Sequence, residues 1–346
     1  MKSIVSLSLA LLFTLLVAQP ALAAPLFEDD SMLTVTLEGP LNTLMRKRSK
    51  DKDLPFTLTF AGDDGSPLTV DVKLRTRGNF RHERKTCPFA PVRVNFKKRQ
   101  VKNTVFHKQD KLKLVTHCRE NSQSNRAALQ REYLAYRIFN TLTDSSFRVR
   151  LLEITWVDTD KNNRSMTQFG FLIEDVDALA KRIGRKELKV PRTTVAELDP
   201  AYTNLASVFQ YLIANTDFSP IAAAEGEDCC HNAKLLGKSG QRIYPVPYDF
   251  DMAGFVDAPY AQVNPQFKIR SVKQRVYRGR CINNEHLPAN LELLRERRDE
   301  IDGLIEAHPH LRERDRDETV LYVNAFYEII NDPKDVDRLM VGRCVG

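Results

Sequence analysis

The sequence predicts an α+β protein: a strand-rich N-terminal lobe that carries one helix, followed by a helical C-terminal lobe. Three observations carry this reading. Between residues 32 and 96, apolar and polar residues alternate, as in Leu33-Val35-Leu37, Phe56-Leu58-Phe60 and Val70-Val72-Leu74, the period of a half-buried sheet. Residues 125–142 switch to a helical period, with Leu134, Ile138 and Leu142 in one stripe and Leu129 and Tyr133 beside it. Beyond a basic stretch at 182–191, Leu205, Val208, Phe209, Leu212 and Ile213 recur at the spacing of a buried helix face.

Taken in order, residues 1–23 read as a cleavable export signal. Lys2 supplies the positive start, Ile4 to Val17 the apolar run, and Ala21-Leu22-Ala23 the small-residue cleavage site. The apolar run is short for a membrane span, and no later stretch is long and apolar enough to be one. The remainder of the 346 residues has room for two domains or one two-lobed domain. The expected division is 24–185 and 186–346.

Within the first of these, Asp63-Asp64-Gly65-Ser66 is a turn between two strands. Arg75-Thr76-Arg77-Gly78-Asn79 ends a strand, where Gly78 permits either a plain turn or the close approach of a phosphate. Arg75 and Arg77 are permanent cations with forked donors suited to that anion. Further strands are expected at 91–96 and 111–117. After the helix, Glu132 borders the apolar stripe. A hairpin then joins 150–157 to 167–173 across a polar loop and ends at Glu174-Asp175. In the second lobe a short strand, 233–236, precedes Tyr244-Pro245-Val246-Pro247. Helices are expected at 287–306 and, after Pro309, at 319–330.

All six cysteines follow the leader. Export implies an oxidising periplasmic or extracellular setting, so disulfides are the first expectation. Cys87 precedes one predicted strand and Cys118 ends another, so antiparallel pairing brings them together. Cys229 or Cys230 is expected to join Cys281. Zinc at Cys229-Cys230-His231 is the rival, although adjacent cysteines lack the usual ligand gap.

The charge is modestly basic. Lys and Arg total 52 against 45 Asp and Glu, a net +7 that loss of Lys2 lowers to +6. Lys268, Arg270, Lys273, Arg275, Arg278 and Arg280 form a run without acids. It reads as a solvated face, or as an attraction for a phosphorylated, acidic or envelope partner. No nucleic-acid motif is present.

The stretch with most chemistry is Tyr248-Asp249-Phe250-Asp251, approached through two prolines that stiffen the chain. Asp217 follows the amphipathic helix and Asn232 opens a short strand. Helix end, strand and acidic turn can set three oxygen-bearing side chains around Mg2+ or Mn2+, a hard cation often completed by substrate phosphates. The plain alternative is that each acid caps a turn. Gly237-Lys238-Ser239-Gly240 mimics the tail of a P-loop, but Asn232 stands where glycine is required, so it reads as a hairpin turn.

Four short segments together resemble the CotH-type (spore-coat protein H) secreted atypical kinases. They are Arg75 to Asn79, Arg131-Glu132-Tyr133-Leu134-Ala135-Tyr136, Ile213-Ala214-Asn215-Thr216-Asp217, and Pro247 to Asp251. The resemblance implies a two-lobed protein-kinase-like fold that transfers phosphate from ATP to a protein or other hydroxyl acceptor. Asp217 would orient the acceptor, and Asn232 and Asp249 would hold the metal with help from Asp251. Glu132 would pair with a strand cation, Arg93 or Lys113, and Glu174 would end the return strand beside the nucleotide. Several kinase signatures are absent: no glycine-rich phosphate loop, no V-A-I-K lysine, no H-R-D. A non-catalytic binding or envelope-assembly module and a metal-dependent phosphohydrolase are the alternative readings.

Overall fold

Seven strands of the N-terminal half close on themselves. In the computed structural model, which describes residues 25–346, β1 (Leu33–Gly39), β2 (Leu54–Ala61), β3 (Pro67–Thr76), β4 (Val92–Phe96) and β5 (Lys111–Thr116) form an antiparallel meander, with α1 (Leu41–Lys47) between β1 and β2. Then come α2 (Gln123–Leu142) and the hairpin β6 (Val149–Asp158) and β7 (Arg164–Ile173). β7 pairs with β5, while β6 runs parallel to β1, with Leu33 opposite Leu152 and Gly39 opposite Asp158. The order β1-β2-β3-β4-β5-β7-β6 is therefore a closed barrel. The signal read at 1–23 lies outside the described residues.

This overturns the two-lobed protein-kinase-like fold. The protein is a barrel-containing α+β structure. The strands were legible because alternation reports which face of each is buried. Closure was not, because alternation is silent about which distant strands become neighbours.

The remaining elements are α3 (Val176–Arg182), β8 (Lys186–Glu187), α4 (Pro200–Leu212), β9 (Ala233–Gly237), β10 (Tyr244–Pro247), α5 (Leu287–Glu296), α6 (Arg298–Glu306), α7 (Glu313–Asn331) and α8 (Pro333–Leu339). β10, β9 and β8 form a small antiparallel sheet. The expected basic linker at 182–191 thus contains the end of α3 and a strand. The P-loop mimic is the turn of the β9–β10 hairpin, as read. α4 begins where the sequence rules place it: Asp199 accepts the Tyr202 backbone N–H and Pro200 occupies the first turn.

Two apolar cores meet at the β6–β7 hairpin. Leu152, Ile154, Trp156 and Leu172 point into the barrel with Phe56, Val72, Val94 and Leu114. Leu151, Phe171 and Ile173 point the other way, against α2, α4 and the C-terminal helices. A strand covered on both faces is apolar on both, which explains why the neighbours Leu151 and Leu152, facing opposite ways, are both apolar. α2 is enclosed almost all round, so its polar residues Gln130, Arg131 and Glu132 are buried as well.

All six cysteines are bonded. Cys87 joins Cys118, as expected, with 4.8 Å between Cα atoms. The expected bridge from Cys229 or Cys230 to Cys281 is not formed: Cys229 is bonded to Cys230, and Cys281 to Cys344. The reason is local. The chain end returns beside residue 280, where the Cys281 N–H donates to the Val345 carbonyl at 3.0 Å, so Cys344 is the nearer partner. With both thiols consumed, Cys229 and Cys230 offer no thiolate to zinc.

Two predictions follow from this packing. Native protein should show no free thiol, and peptide mapping without reductant should recover Cys87 with Cys118 and Cys281 with Cys344. Stability should also depend on pH through His117 and His308. Burial pushes these imidazoles down to about 3 and about 4 from 6.5. The unfolded chain therefore takes up protons where the folded one does not, so stability held above about pH 6.5 is lost as pH falls toward 4. The urea midpoint should drop across that window, and more shallowly in His308→Gln. A flat midpoint would refute it.

Candidate functional site

The barrel supplies cations and the C-terminal half supplies acids to one cleft of about 480 Å³. From the barrel side come Arg77, Gly78 and Arg81 after β3, Arg93 on β4 and Lys113 on β5. From the opposite side come Asp217 beyond α4, Asn232 before β9, and Asp249 and Asp251 beyond β10. Eight residues singled out in the sequence thus line the same space: Arg77, Gly78, Arg93, Lys113, Asp217, Asn232, Asp249 and Asp251.

The turns that deliver the acids are unusual. Ala214, Asn232 and Asp249 all adopt positive φ, at 48°, 52° and 64°. Such a backbone is costly for residues with a Cβ, and Asn and Asp tolerate it best. Each is held by hydrogen bonds. The Tyr136 hydroxyl accepts the Asp249 N–H at 2.9 Å, and the Asn232 carbonyl accepts the Tyr248 N–H at 3.0 Å. The Ala214 carbonyl accepts from Gly254 at 3.2 Å. Gly78, with φ at 85° and open space around it, forms the turn on the barrel side.

Asp217 sits in a small network. Its own N–H donates to Asn215 Oδ1 at 2.9 Å. Asn232 Nδ2 donates to the Asp217 carbonyl at 2.7 Å and to its Oδ2 at 3.0 Å. His231 Nε2 lies 2.8 Å from Oδ1, and this hydrogen bond raises the imidazole pKa against the opposing effect of burial. The long segment between Asp217 and Asn232 therefore folds back so that its two ends touch.

Beneath the cleft lies an ion pair that sequence reasoning assigned differently. Glu132, only 2% exposed, pairs with Arg81 at 3.6 Å, and not with Arg93 or Lys113. Arg81 projects from the short helical turn Phe80–His82 and reaches past the barrel rim, whereas Arg93 and Lys113 remain on the strands lining the cleft. Lys113 instead lies over the Tyr248 ring at 4.3 Å. Its burial, with Arg77 nearby, lowers its pKa to about 8.

Carboxylates crowd this interior. Burial raises Glu132 to about 8, Asp251 and Asp249 adding to the rise. Burial likewise raises Asp251 to about 7, with Asp249 the next cause. Arg81 is raised as well: burial opposes its charge, but Tyr260, Glu132, Asp251 and Asp249 outweigh that. Such mutual repulsion between oxygens is relieved by a divalent cation, so the donor set fits Mg2+ or Mn2+. Among the described residues no three His, Cys, Asp or Glu side chains form a ready cage. A cation here would draw on Asp249, Asp251 and the Asn232 amide oxygen, with water or phosphate oxygens completing it.

Two residues singled out in the sequence stand apart. Arg75 pairs with Asp53 at 3.6 Å and does not line the cleft. Glu174 is bound by Arg182 at 3.0 and 2.7 Å and accepts the Arg148 N–H at 3.1 Å. It faces a neighbouring pocket that shares Arg93, Lys113, Asp228 and Lys234 with the cleft. In the basic run, Arg275 and Arg278 turn inward to backbone carbonyls and Lys273 pairs with Asp257, so much of that charge is structural. Arg81 and Tyr260 were missed, His231 was weighed only as a zinc ligand, and Tyr136 was named without a role although it stands one helical turn beyond Glu132. The chain matches no protein-family model and no curated protein.

Arg81→Met should lower the unfolding free energy by about 2 kcal/mol, because it leaves the buried Glu132 carboxyl and the Thr116 carbonyl without their partner. Adding Glu132→Gln should recover part of that loss in urea titrations. Additive losses would show that the two groups do not depend on each other.

Proposed function

We propose that this cleft transfers a phosphoryl group from a nucleotide, ATP in the simplest case, to a hydroxyl acceptor with the help of a divalent cation. The observation that carries the reading is the meeting of Arg77, Arg93 and Lys113 with Asp217, Asn232, Asp249 and Asp251 around one space. Phosphoryl transfer asks a protein mainly for positioning and neutralisation of charge. The short segments shared in pattern with the CotH-type family support the same chemistry, independently of the barrel.

Arg77 and Lys113 bind and orient the phosphates. A phosphate beside Lys113 would favour its charged form and offset the lowering by burial. Asp249, Asp251 and Asn232 would hold Mg2+ or Mn2+, which supplies charge neutralisation at the transferred group. Asp217, steadied by Asn232 and hydrogen-bonded to His231, accepts the acceptor's proton as its oxygen bonds to phosphorus. The bond from the terminal phosphorus to the bridging oxygen breaks in the same displacement. The exposed edge of His231 gives that proton a route to solvent. Export through residues 1–23 would place this activity in the periplasm or outside the cell, with a protein or acidic envelope component as acceptor.

Purified, oxidised protein incubated with labelled ATP and Mn2+ or Mg2+ tests this. Label should move to an acceptor. Release of inorganic phosphate alone would indicate a phosphohydrolase, and the lack of both a binding module. The roles should also separate. Asp249→Asn should abolish metal-dependent nucleotide binding in calorimetry. Asp217→Asn should retain binding while slowing transfer ~100-fold, the scale of general acid–base catalysis. Equal loss of binding in both variants would overturn the assignment.

A further inference from the structure

The outward face of β3, β4 and β5 carries positive charge in a pattern that the fold alone does not ask for. Val72, Leu74, Val94, Leu112 and Leu114 point into the barrel, so the alternate residues Lys73, Arg75, Arg93, Lys111 and Lys113 point out. The pairing sets Arg75 opposite Arg93 and Arg93 opposite Lys113, and beside that row it sets Lys73 opposite Asn95 and Asn95 opposite Lys111. Like charges directly opposite across strands are destabilising, and here three stand in one row. Nearby acids do not relieve them all. Asp53 engages Arg75 and Asn95, Asp71 engages Lys97 and Gln100, and Asp110 engages Lys98. Among the described residues, Lys73, Arg93 and Lys111 have no acidic partner.

This face is continuous with the acidic cleft. Arg93 and Lys113 line both the cleft and the pocket beside it, and Lys111 lines that pocket. Of the pocket's acids, Glu174 is held by Arg182 and Glu187 by Lys234, while Asp175 accepts the Asp177 N–H. Among the described residues Asp228 is without a partner, and Lys189 of the same pocket, likewise without one, offsets it. Lys73 and Lys111 are exposed. A surplus of positive charge therefore leads out of the cleft across the barrel wall.

The spacing and the neighbours narrow the ligand. Adjacent strands stand about 4.8 Å apart and same-face residues of one strand about 6.7 Å, a grid suited to a narrow, flexible and densely anionic chain. The outward positions of these strands hold no aromatic ring on which a nucleic-acid base could stack. The exposed large apolar residues Ile282, Leu321, Val341 and Val345 lie on other elements, so nothing on this face would insert into a lipid surface. We propose that β3, β4 and β5 lengthen the phosphate grip of the cleft, so that the protein binds linear inorganic polyphosphate, a chain longer than that of a nucleoside triphosphate. This assignment rests on the cleft being a phosphate site.

Calorimetric titration of the intact protein with tripolyphosphate and with long-chain polyphosphate, in Mg2+ at low salt, tests it. The long chain should bind more tightly. Lys73→Gln combined with Lys111→Gln should weaken it about tenfold, the worth of two exposed ion pairs, and leave tripolyphosphate unchanged. Lys268→Gln combined with Arg270→Gln, which removes the same charge from another exposed stretch, should alter neither affinity. Equal losses in the two double variants, or a long chain bound no tighter than tripolyphosphate, would overturn the extended site. Tighter binding of polyglutamate of matching charge would overturn the choice of phosphate. Failure of tripolyphosphate itself to bind would overturn the phosphate reading of the cleft, and the extension with it.

Discussion

The buried contact between Arg81 and Glu132 holds together parts of the protein that the chain keeps far apart. Arg81 comes from the turn after β3, donates to the Thr116 carbonyl at the end of β5 at 2.6 Å, meets Glu132 on α2, and lies 5.5 Å from the Tyr260 ring. Barrel, central helix and C-terminal segment are joined at one guanidinium. An arginine suits this junction because its fork satisfies several acceptors at fixed angles and keeps its charge when buried. The arrangement also sets the electrostatics above it. Glu132 commits Arg81 from below, so Asp249 and Asp251 face a cleft whose nearest cation is already shared.

The acids are presented by backbone that resists relaxation. Positive φ at Ala214, Asn232 and Asp249 would be unfavourable in isolation, and each residue is held by a partner from another element. Tyr136 on α2 fixes the Asp249 amide, and residues 253–255 close onto the end of α4 through Gly254 and Phe255. The Cys229–Cys230 pair sits immediately before His231 and Asn232, with its backbone tied to Val190 and Ala233. The side chains around Asp217 are thereby ordered before any ligand arrives. Such preorganisation is what electrostatic catalysis requires of a site.

Much of this was legible in the sequence, and the unread parts share a cause. Alternation and helical stripes located nearly every long element, because burial on one face leaves a periodic trace. The residues of the cleft were legible because acids after apolar runs, and arginines beside a glycine, break that trace. Short elements such as α1, α3 and α8 left too few turns for a period to show. Barrel closure, the Arg81 pairing and the Cys281–Cys344 bridge are contacts between distant positions. Nothing local to Leu33 or Leu152 marks them as neighbours. The breaks in the long helix read at 287–306 and in the basic linker were likewise settled by packing and not by propensity.

The closed barrel changes what the cleft can be expected to do. In an open sheet, strand cations shift with the twist of the sheet. Here Arg93 and Lys113 lie on adjacent paired strands, opposite each other in register, and closure fixes their spacing. Two cations at a set separation suit a bidentate or polyphosphate anion better than a single carboxylate. The acids ride on turns whose backbone is fixed by hydrogen bonds, Asp249 to Tyr136 and Asp217 to Asn232. Fixed cations facing prepositioned oxygen donors suit a phosphate chain and a divalent cation bound together.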